Sequence, residues 1–152
     1  MPSDISKVRF FHSSPFVNVD SRRSIFGVAG QLGIHLDISQ IKIIEFSGKS
    51  VNDRLVVGNH RHLGSSDQWE FIIVLGDPGE QQFEFRYRNQ GENIEREILS
   101  GGLIVAIPPG CSLGLVALRA DAKIIEISNR IYDPANYEID NLFEESLDDK
   151  GC

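Results

Sequence analysis

The stretch Gly58-Asn59-His60-Arg61-His62 is followed, after a polar loop, by Trp69-Glu70-Phe71-Ile72-Ile73-Val74-Leu75. The second segment is rich in β-branched and aromatic residues, which predicts a buried strand. Alternate residues of a strand point to the same face, so a strand through the first segment turns both histidines to one side. Two imidazoles on one face can bind a metal, or one can act as a base while its neighbour hydrogen-bonds a substrate. Glu70 could add an oxygen ligand, giving the two-histidine, one-carboxylate set of open iron or manganese sites.

Short β-like segments continue on both sides of this stretch. They are separated by turn residues, notably in the stretches 76–79, 89–91 and 100–102, and they cover residues 8–11, 41–46, 83–87, 103–107, 113–118 and 123–127. Strict alternation over 83–88 predicts one buried and one wet face, in a hairpin with 95–99. The only helical signal lies over 141–147, enough for one or two exposed turns. Many evenly spaced strands without intervening helices predict an all-β sandwich or barrel.

Length and composition are those of one globular domain. The chain has 152 residues, of which 41% are hydrophobic and 24% charged, a balance that suits a single substantial core rather than disorder. We predict one domain over residues 1–147 and a flexible tail over 148–152.

Charge and segment length exclude several classes of partner. A net charge of −7 and a pI of about 5.0 disfavour binding to nucleic acid or to an anionic membrane surface. Residues 1–7 lack the apolar run of a signal peptide, and the apolar runs elsewhere are too short to cross a bilayer. Cys111 and Cys152 lack C-x-x-C spacing, which favours a buried thiol and a tail thiol over a disulfide. We therefore predict a cytoplasmic protein.

Two segments resemble the motifs of the cupins. His60-Arg61-His62 with Glu70 opening a hydrophobic strand resembles the first motif, and Gly102-Leu103-Ile104-Val105-Ala106-Ile107-Pro108-Pro109-Gly110 fits the G-x5-P-x-G of the second. The resemblance implies an all-β, double-stranded β-helix, a jelly-roll-like barrel with a pocket between its sheets. The short C-terminal helical segment would follow this barrel.

The sequence departs from the cupin pattern at the expected metal site. The second motif normally continues to a histidine where this chain has Leu113, and to an asparagine where it has Ala117. Leucine cannot ligate a metal. Two interpretations stay open: a divalent ion (iron, manganese, zinc or nickel) on His60, His62 and Glu70, or a pocket with two polar histidines and no metal.

A closer resemblance extends over most of the chain. Three segments are similar to motifs of the dTDP-sugar 3,4-ketoisomerases and of capsule-sugar epimerase-like (WxcM-like) cupins: Asp20-Ser21-Arg22-Arg23-Ser24-Ile25, Gly58-Asn59-His60-Arg61-His62 and Tyr132-Asp133-Pro134-Ala135-Asn136-Tyr137. This resemblance implies a homodimeric isomerase or epimerase of surface-polysaccharide biosynthesis, acting on a nucleotide-linked keto-sugar. It casts His60 as the base that takes a sugar C–H proton and His62 as the residue that assists or orients it.

Three further residues are candidates for substrate binding. The arginine expected before the motif glycine is Val57 here, so Arg54 could reach the pocket instead, although a solvated surface charge is the simpler interpretation. Trp69 could stack on a base or sugar, or belong to the core. Tyr132 could contact the ligand, or serve with Tyr137 to fasten the C-terminal segment to the barrel.

Three functions follow from these patterns. The first is a keto-sugar isomerase or epimerase with His60 as base. The second is a metal-dependent cupin that uses His60, His62 and Glu70. The third is a non-catalytic module that keeps a small-molecule pocket, an interpretation favoured by the apolar residues Val57 and Leu113 at positions where the family is polar.

Overall fold

Ten strands in two antiparallel sheets account for most of the structure, a computed structural model that describes residues 5–12, 37–46, 55–63 and 67–143. The strands are β1 Arg9–His12, β2 Gln40–Glu45, β3 Val56–His62, β4 Glu70–Val74, β5 Gln81–Arg88, β6 Ile94–Ser100, β7 Leu103–Ile107, β8 Ser112–Ala117, β9 Lys123–Ser128 and β10 Tyr137–Ile139. A single 3-10 turn, Pro134–Asn136, precedes β10. No segment within the described ranges forms a helix long and apolar enough to cross a membrane.

The strands form two five-stranded sheets. The first sheet has the order β1-β7-β4-β9-β2, and the second has the order β10-β3-β8-β5-β6. All pairings are antiparallel. This architecture confirms the predicted all-β, jelly-roll-like barrel.

The core fills the space between the inner faces of the two sheets. On β4, Glu70, Ile72 and Val74 are buried while the residues between them are half-buried, so the period of two predicted from the sequence is present. Phe83 and Phe85 face them from β5 and are fully buried. Burial of side chains of this size stabilises the fold by roughly 1.5–3 kcal/mol each.

A β-bulge in β3 sets the direction of the two histidines. Val57 pairs with Leu115 and His60 pairs with Leu113, and the register shifts between Gly58 and His60. Gly58 has φ 91° and Asn59 has φ 60°, both in the left-handed region. A Cβ at Gly58 would lie 2.9 Å from the Leu113 carbonyl oxygen, so glycine is required at this position.

The side chain of Asn59 fastens the C-terminal segment to the bulge. Its Oδ1 accepts a hydrogen bond from the backbone N–H of Leu142 at 2.7 Å, and Leu142 is 1% exposed. Next to this contact, β10 pairs with β3, with Tyr137 opposite His62 and Ile139 opposite His60. The helix predicted over 141–147 lies mostly outside the described residues, and residues 142 and 143 lie in a turn.

The structure modifies one detail of the sequence interpretation, the wet face of β5, and agrees with another, the buried thiol. Glu84 belongs to the predicted wet face of β5 but is 5% exposed, because Arg86 and Arg96 contact its Oε1 at 2.8 and 3.0 Å. Phe143 covers Arg86, whose guanidinium carbon lies 4.5 Å from the ring centroid. Cys111 is a buried thiol as predicted, and its Sγ donates to the Ser6 carbonyl at 3.4 Å. Cys152 lies outside the described residues.

Candidate functional site

A cavity of about 240 Å³ lies between the two sheets and contains both histidines of the H-x-H segment. It is bounded by polar, aromatic and apolar side chains: Lys42, Ile44, Val57, Gly58, His60, His62, Gln68, Glu70, Leu113, Leu115, Glu126, Tyr132 and Tyr137. Residues of both sheets contribute to it, so the packing of the sandwich forms the cavity.

His60, His62 and Glu70 make up the polar centre of the cavity. The histidines project from β3 in the second sheet, and Glu70 projects from β4 in the first. Glu70 Oε1 lies 2.6 Å from His62 Nε2 and 3.7 Å from His60 Nε2. The first distance is a hydrogen bond across the two sheets, and the second is an electrostatic approach that is too long for one. One carboxylate therefore serves both imidazoles.

This arrangement changes the acid–base behaviour of two groups. Burial disfavours the charged form of His60, but the Glu70 carboxylate and a hydrogen bond to the Gly58 backbone outweigh it and raise the pKa of His60 above 6.5. Burial would raise the pKa of Glu70, but its contacts with His60 and His62 prevail and lower that pKa to about 2. Glu70 is therefore ionised at neutral pH, and His60 is a stronger base than an ordinary histidine.

The hydrogen bond to Glu70 also determines how His62 is oriented. An ionised carboxylate can only accept, so His62 Nε2 donates. Within the described ranges, His62 Nδ1 and Glu70 Oε2 are buried and have no hydrogen-bond partner. His62 thus holds the carboxylate in place, and the carboxylate retains one oxygen with unused accepting capacity.

The same three residues could hold a divalent metal. One ligand atom from each lies within 4.8 Å of the other two. Two imidazoles and an ionised carboxylate suit a first-row transition metal, and the unused Glu70 Oε2 fits a ligand role. Leu113 lies opposite His60 in the sheet register and lines the cavity where the cupin pattern has a further histidine. The residues present therefore fit a three-ligand site.

A second ionic pair lies on the wall formed by the first sheet. Lys42 Nζ contacts Glu126 Oε1 at 3.2 Å, with the two residues directly opposite each other on β2 and β9. Burial and the charge of Glu70 raise the pKa of Glu126, while Lys42 opposes that rise. The first sheet therefore supplies Lys42, Glu70 and Glu126 to the cavity, and the second sheet supplies the two histidines.

Two tyrosines close the cavity on the side of β10. The Tyr137 ring lies 4.7 Å from the His60 ring, centroid to centroid, at an interplanar angle of 35°. Tyr132 packs edge-on against Tyr137 at 5.7 Å and is 51% exposed. His60 is thus held between an aromatic ring and a carboxylate, and Tyr132 stands between the cavity and solvent.

A second cavity of about 520 Å³ adjoins the first and shares Gln68 with it. Its lining is mainly polar and includes Asp67, Asn129 and Arg130. Arg130 Nε donates to Asp67 Oδ1 at 2.7 Å. The two cavities together offer room for a ligand much longer than one ring.

The structure brings most of the predicted site residues together. His60, His62, Glu70 and Tyr132 line one cavity. Trp69 lies elsewhere, buried and stacked on Phe71 with centroids 6.1 Å apart, on the face of the first sheet opposite to Glu70. Arg54 and the motif at 20–25 lie outside the described residues.

The sequence interpretation missed Lys42, Glu126 and Gln68. The alternation in Gln40-Ile41-Lys42-Ile43-Ile44 suggests that the isoleucines at 41 and 43 face inward, but they are exposed and Lys42 faces the cavity. No motif marks Glu126 or Gln68. Glu126 reaches the cavity through the pairing of β9 with β2 and β4, and Gln68 lies in the loop just before β4.

Comparison with known proteins gives matches at the level of structure. No family model and no curated protein matches the chain. QdtA, a sugar 3,4-ketoisomerase from Thermoanaerobacterium thermosaccharolyticum solved with TDP, matches with a TM-score of 0.64 and 15% identity over 86% of each chain. WlaRB, a TDP-quinovose 3,4-ketoisomerase from Campylobacter jejuni, matches with a TM-score of 0.67 and 16% identity over 88% of this chain and 92% of its own.

A sugar epimerase has the same fold. ChmJ, a 3'-monoepimerase from Streptomyces bikiniensis solved with dTDP-quinovose, matches with a TM-score of 0.69 and 11% identity over 87% of this chain and 68% of its own. At these identities the likeness shows the fold. The chain has the cupin-type fold of these ketoisomerases and epimerases, as the sequence resemblance predicted.

Proposed function

We propose that the protein is an isomerase or epimerase of a nucleotide-linked keto-sugar, with His60 as the base that moves the carbon proton. The observation that carries the proposal is the position of His60 in the inter-sheet cavity, with Nε2 3.7 Å from the buried Glu70 carboxylate. The names of the similar structures support the substrate class. The same proposal includes a role in surface-polysaccharide biosynthesis, as the sequence resemblance implies, and the cytoplasmic location predicted from the sequence.

The chemistry begins with loss of a proton from a carbon next to the sugar ketone. Neutral His60 accepts this proton on its ring, and the electron pair of the C–H bond becomes part of an enolate. The imidazolium that results lies beside the negative charge of Glu70, which stabilises it. Return of the proton to the former ketone carbon gives a ketoisomer, whereas return to the original carbon on its opposite face gives an epimer.

Neighbouring residues hold His60 ready for this step. Tyr137 packs against its ring at 4.7 Å, and the backbone of Gly58 accepts a hydrogen bond from it. His62 hydrogen-bonds Glu70 at 2.6 Å and so fixes the carboxylate. Such preorganisation keeps the base in one orientation before the substrate arrives.

The sizes of the two cavities agree with a nucleotide sugar. The inner cavity, at about 240 Å³, is smaller than the roughly 300–1,000 Å³ of pockets that hold drug-sized ligands, so it suits one sugar ring. The adjoining cavity of about 520 Å³ shares Gln68 with it and contains Arg130. We assign the diphosphate and the nucleoside to this outer region.

The test is solvent exchange at carbon. The protein is incubated in D₂O with dTDP-4-keto-6-deoxyglucose, and deuterium incorporation and new isomers are followed by NMR. His60→Asn should lower the exchange rate by about 10²–10⁴, the usual contribution of a general base. Arg61→Met is the matched control, because Arg61 lies on the same strand and pairs with Glu138 at 2.8 Å.

If no keto-sugar of a panel exchanges or isomerises with the unmodified protein, the enzymatic proposal is wrong. Binding without exchange would then point to a non-catalytic ligand-binding module.

A metal-dependent cupin is the second candidate. It is favoured by the three ligand atoms of His60, His62 and Glu70 that lie within 4.8 Å of one another. A bound divalent ion would supply Lewis-acid polarisation of a substrate oxygen. Elemental analysis of purified protein should then give about one metal per chain, lost in His60→Ala and Glu70→Ala. Metal below stoichiometry, unchanged in these variants, would eliminate this candidate.

A further inference from the structure

Lys42 faces the cavity from the sheet opposite His60. It lies on β2 in the first sheet, whereas His60 lies on β3 in the second. Among the described residues that line this cavity, Lys42 is the only lysine or arginine. The candidate base and this lysine therefore stand on opposite walls.

The strand register fixes where this cation stands relative to the base. Lys42 is opposite Glu126, and Glu126 is opposite Ile72 on β4. Glu70 begins β4 two residues before Ile72, which corresponds to about 7 Å along a strand. Glu70 and Ile72 are successive inward-facing residues of β4. The pair formed by Lys42 and Glu126, which is level with Ile72, is therefore displaced from Glu70 by one such interval along the strand.

The contact between Lys42 and Glu126 leaves the ammonium available to a ligand. Glu126 Oε1 accepts from Nζ at 3.2 Å, and the side chains are 41% and 11% exposed. An ammonium has three N–H donors, and Glu126 accepts one of them. A well-buried partner thus holds a partly exposed cation at the wall of the cavity.

The proposed chemistry needs a donor at this place. Removal of a C–H proton beside a ketone leaves negative charge on the oxygen, and a positioned cation there lowers the barrier. The second sheet provides no lysine or arginine for this purpose, because its residues that line the described cavity besides the two histidines are Val57, Gly58, Leu113, Leu115 and Tyr137. We propose that Lys42 donates a hydrogen bond to the enolate oxygen and that Glu126 positions its ammonium, an inference that rests on the proposed function.

In this step all protons and electrons that leave one position of the substrate return to another. His60 takes the carbon proton, the C–H electron pair forms the C=C bond, and the carbonyl π pair moves to the oxygen that Lys42 contacts. In ketoisomerisation the neighbouring hydroxyl loses its proton, the former ketone oxygen gains one, and His60 returns its proton to the former ketone carbon. One carbon is oxidised and its neighbour reduced, so no external oxidant or reductant is required.

The same pair of strands supplies a matched control. Lys123 and Glu45 are also directly opposite each other on β9 and β2, with Nζ and Oε1 3.4 Å apart. Both side chains are more exposed than Glu126, and neither residue lines this cavity. Lys123→Met and Glu45→Gln therefore remove a similar ion pair from the same sheet without changing the site.

The experiment measures kcat and KM for isomerisation of dTDP-4-keto-6-deoxyglucose, together with C–H exchange in D₂O. Lys42→Met should lower kcat and the exchange rate by about 10²–10³, the cost of losing one oxyanion donor, with KM close to that of the unmodified protein. Lys42→Arg should recover part of kcat, since a donor of the same charge returns. Glu126→Gln should lower kcat less than Lys42→Met does. Lys123→Met and Glu45→Gln should keep normal rates.

Several results would overturn the inference. Normal kcat and exchange in folded Lys42→Met would do so, and so would equal losses in Lys42→Met and Lys123→Met. If Lys42→Met does not fold, as judged by its thermal midpoint, the Glu126→Gln variant decides: an unchanged kcat rejects the positioning role. Absence of turnover in the unmodified protein is a different outcome, because it rejects the proposed function itself.

Discussion

At the scale of single residues, Glu70 is the group on which the site depends. It is 3% exposed, and its Oε1 contacts imidazoles of the opposite sheet at 2.6 and 3.7 Å. Because it stays ionised at neutral pH, it favours the protonated form of His60. The residue therefore raises the proton affinity of the proposed base.

The pH dependence of exchange should reveal this effect. Neutral His60 is the active form, so the exchange rate should rise with pH through a midpoint above 6.5, the ordinary value. In Glu70→Gln the carboxylate that raises the pKa of His60 is gone while burial still lowers it, so the midpoint should move to lower pH. NMR titration of the His60 ring, compared with the pH–rate profile, measures both shifts. A midpoint that does not move in Glu70→Gln would contradict the coupling.

The sequence allowed only part of this residue set to be predicted. His60, His62 and Glu70 belong to a local motif whose strand geometry is readable from spacing. Lys42 and Glu126 belong to no motif. They meet only because β2 pairs with β9, although the two residues are 84 positions apart in the chain. The local pattern favours the wrong face for Lys42, because the apolar residues Ile41 and Ile43 on either side of it would be expected to face the core. In the structure these two isoleucines are 61% and 69% exposed.

At the scale of elements, the bulge in β3 connects the sequence to the site. Asn59 is the extra residue between the paired positions Gly58 and His60, and both histidines that follow it face the cavity. The bulge is possible because Gly58 has no Cβ to meet the Leu113 carbonyl. A local backbone feature thus aims the proposed base.

Replacing this glycine should damage both stability and activity. Gly58→Ala places a Cβ 2.9 Å from the Leu113 oxygen at φ +91°, whereas Gly79→Ala at φ +89° meets nothing within 4 Å. Both variants carry the strain of left-handed backbone, about 1–3 kcal/mol, but only the first also carries a steric clash. Denaturant unfolding should therefore give a larger loss for Gly58→Ala, and only this variant should lose C–H exchange. Equal losses in the two variants would mean that the close approach to Leu113 is unimportant.

Strand prediction succeeded where sequence signals are local. Strand β7 has the predicted bounds 103–107, because a continuous apolar run is preceded by the turn at 100–102 and followed by Pro108. Strand β10 was not predicted, because it has three residues and follows Pro134 closely. It forms because β3 offers an edge with which Tyr137–Ile139 can pair. Contacts of this kind are absent from any local window of sequence.

At the scale of the whole molecule, the homodimer expected from the sequence stays a prediction. The outer face of β2 exposes Ile41 and Ile43, and the outward residues of the adjacent β9 include Ile125 and Ile127. Apolar patches of this kind mark interaction surfaces. At the end of this patch, Lys123 lies beside Glu45. In a dimer with two-fold symmetry, the lysine of one copy can face the glutamate of the other. We therefore place the contact between two copies of the chain on this face.

Light scattering coupled to size-exclusion chromatography tests this placement. The unmodified protein should have twice the chain mass of 17.0 kDa, and Ile43→Lys should give a monomer with a similar thermal midpoint at low concentration. Ile94→Lys is the control, because Ile94 is also exposed but lies on β6 at the edge of the other sheet. A monomeric unmodified protein, or a dimer that survives Ile43→Lys, would contradict the assignment.

The hydrogen bond between His62 and Glu70 joins two layers whose described core between them consists mainly of apolar side chains. Its length depends on how far apart the sheets are held, and that separation is determined by the core residues between them, such as Ile72 and Phe83. A change of one methylene deep in the core should therefore alter the acidity of the site, although it touches none of the polar groups. In this sandwich, the separation of the two sheets therefore helps to determine the pKa values on which proton transfer depends.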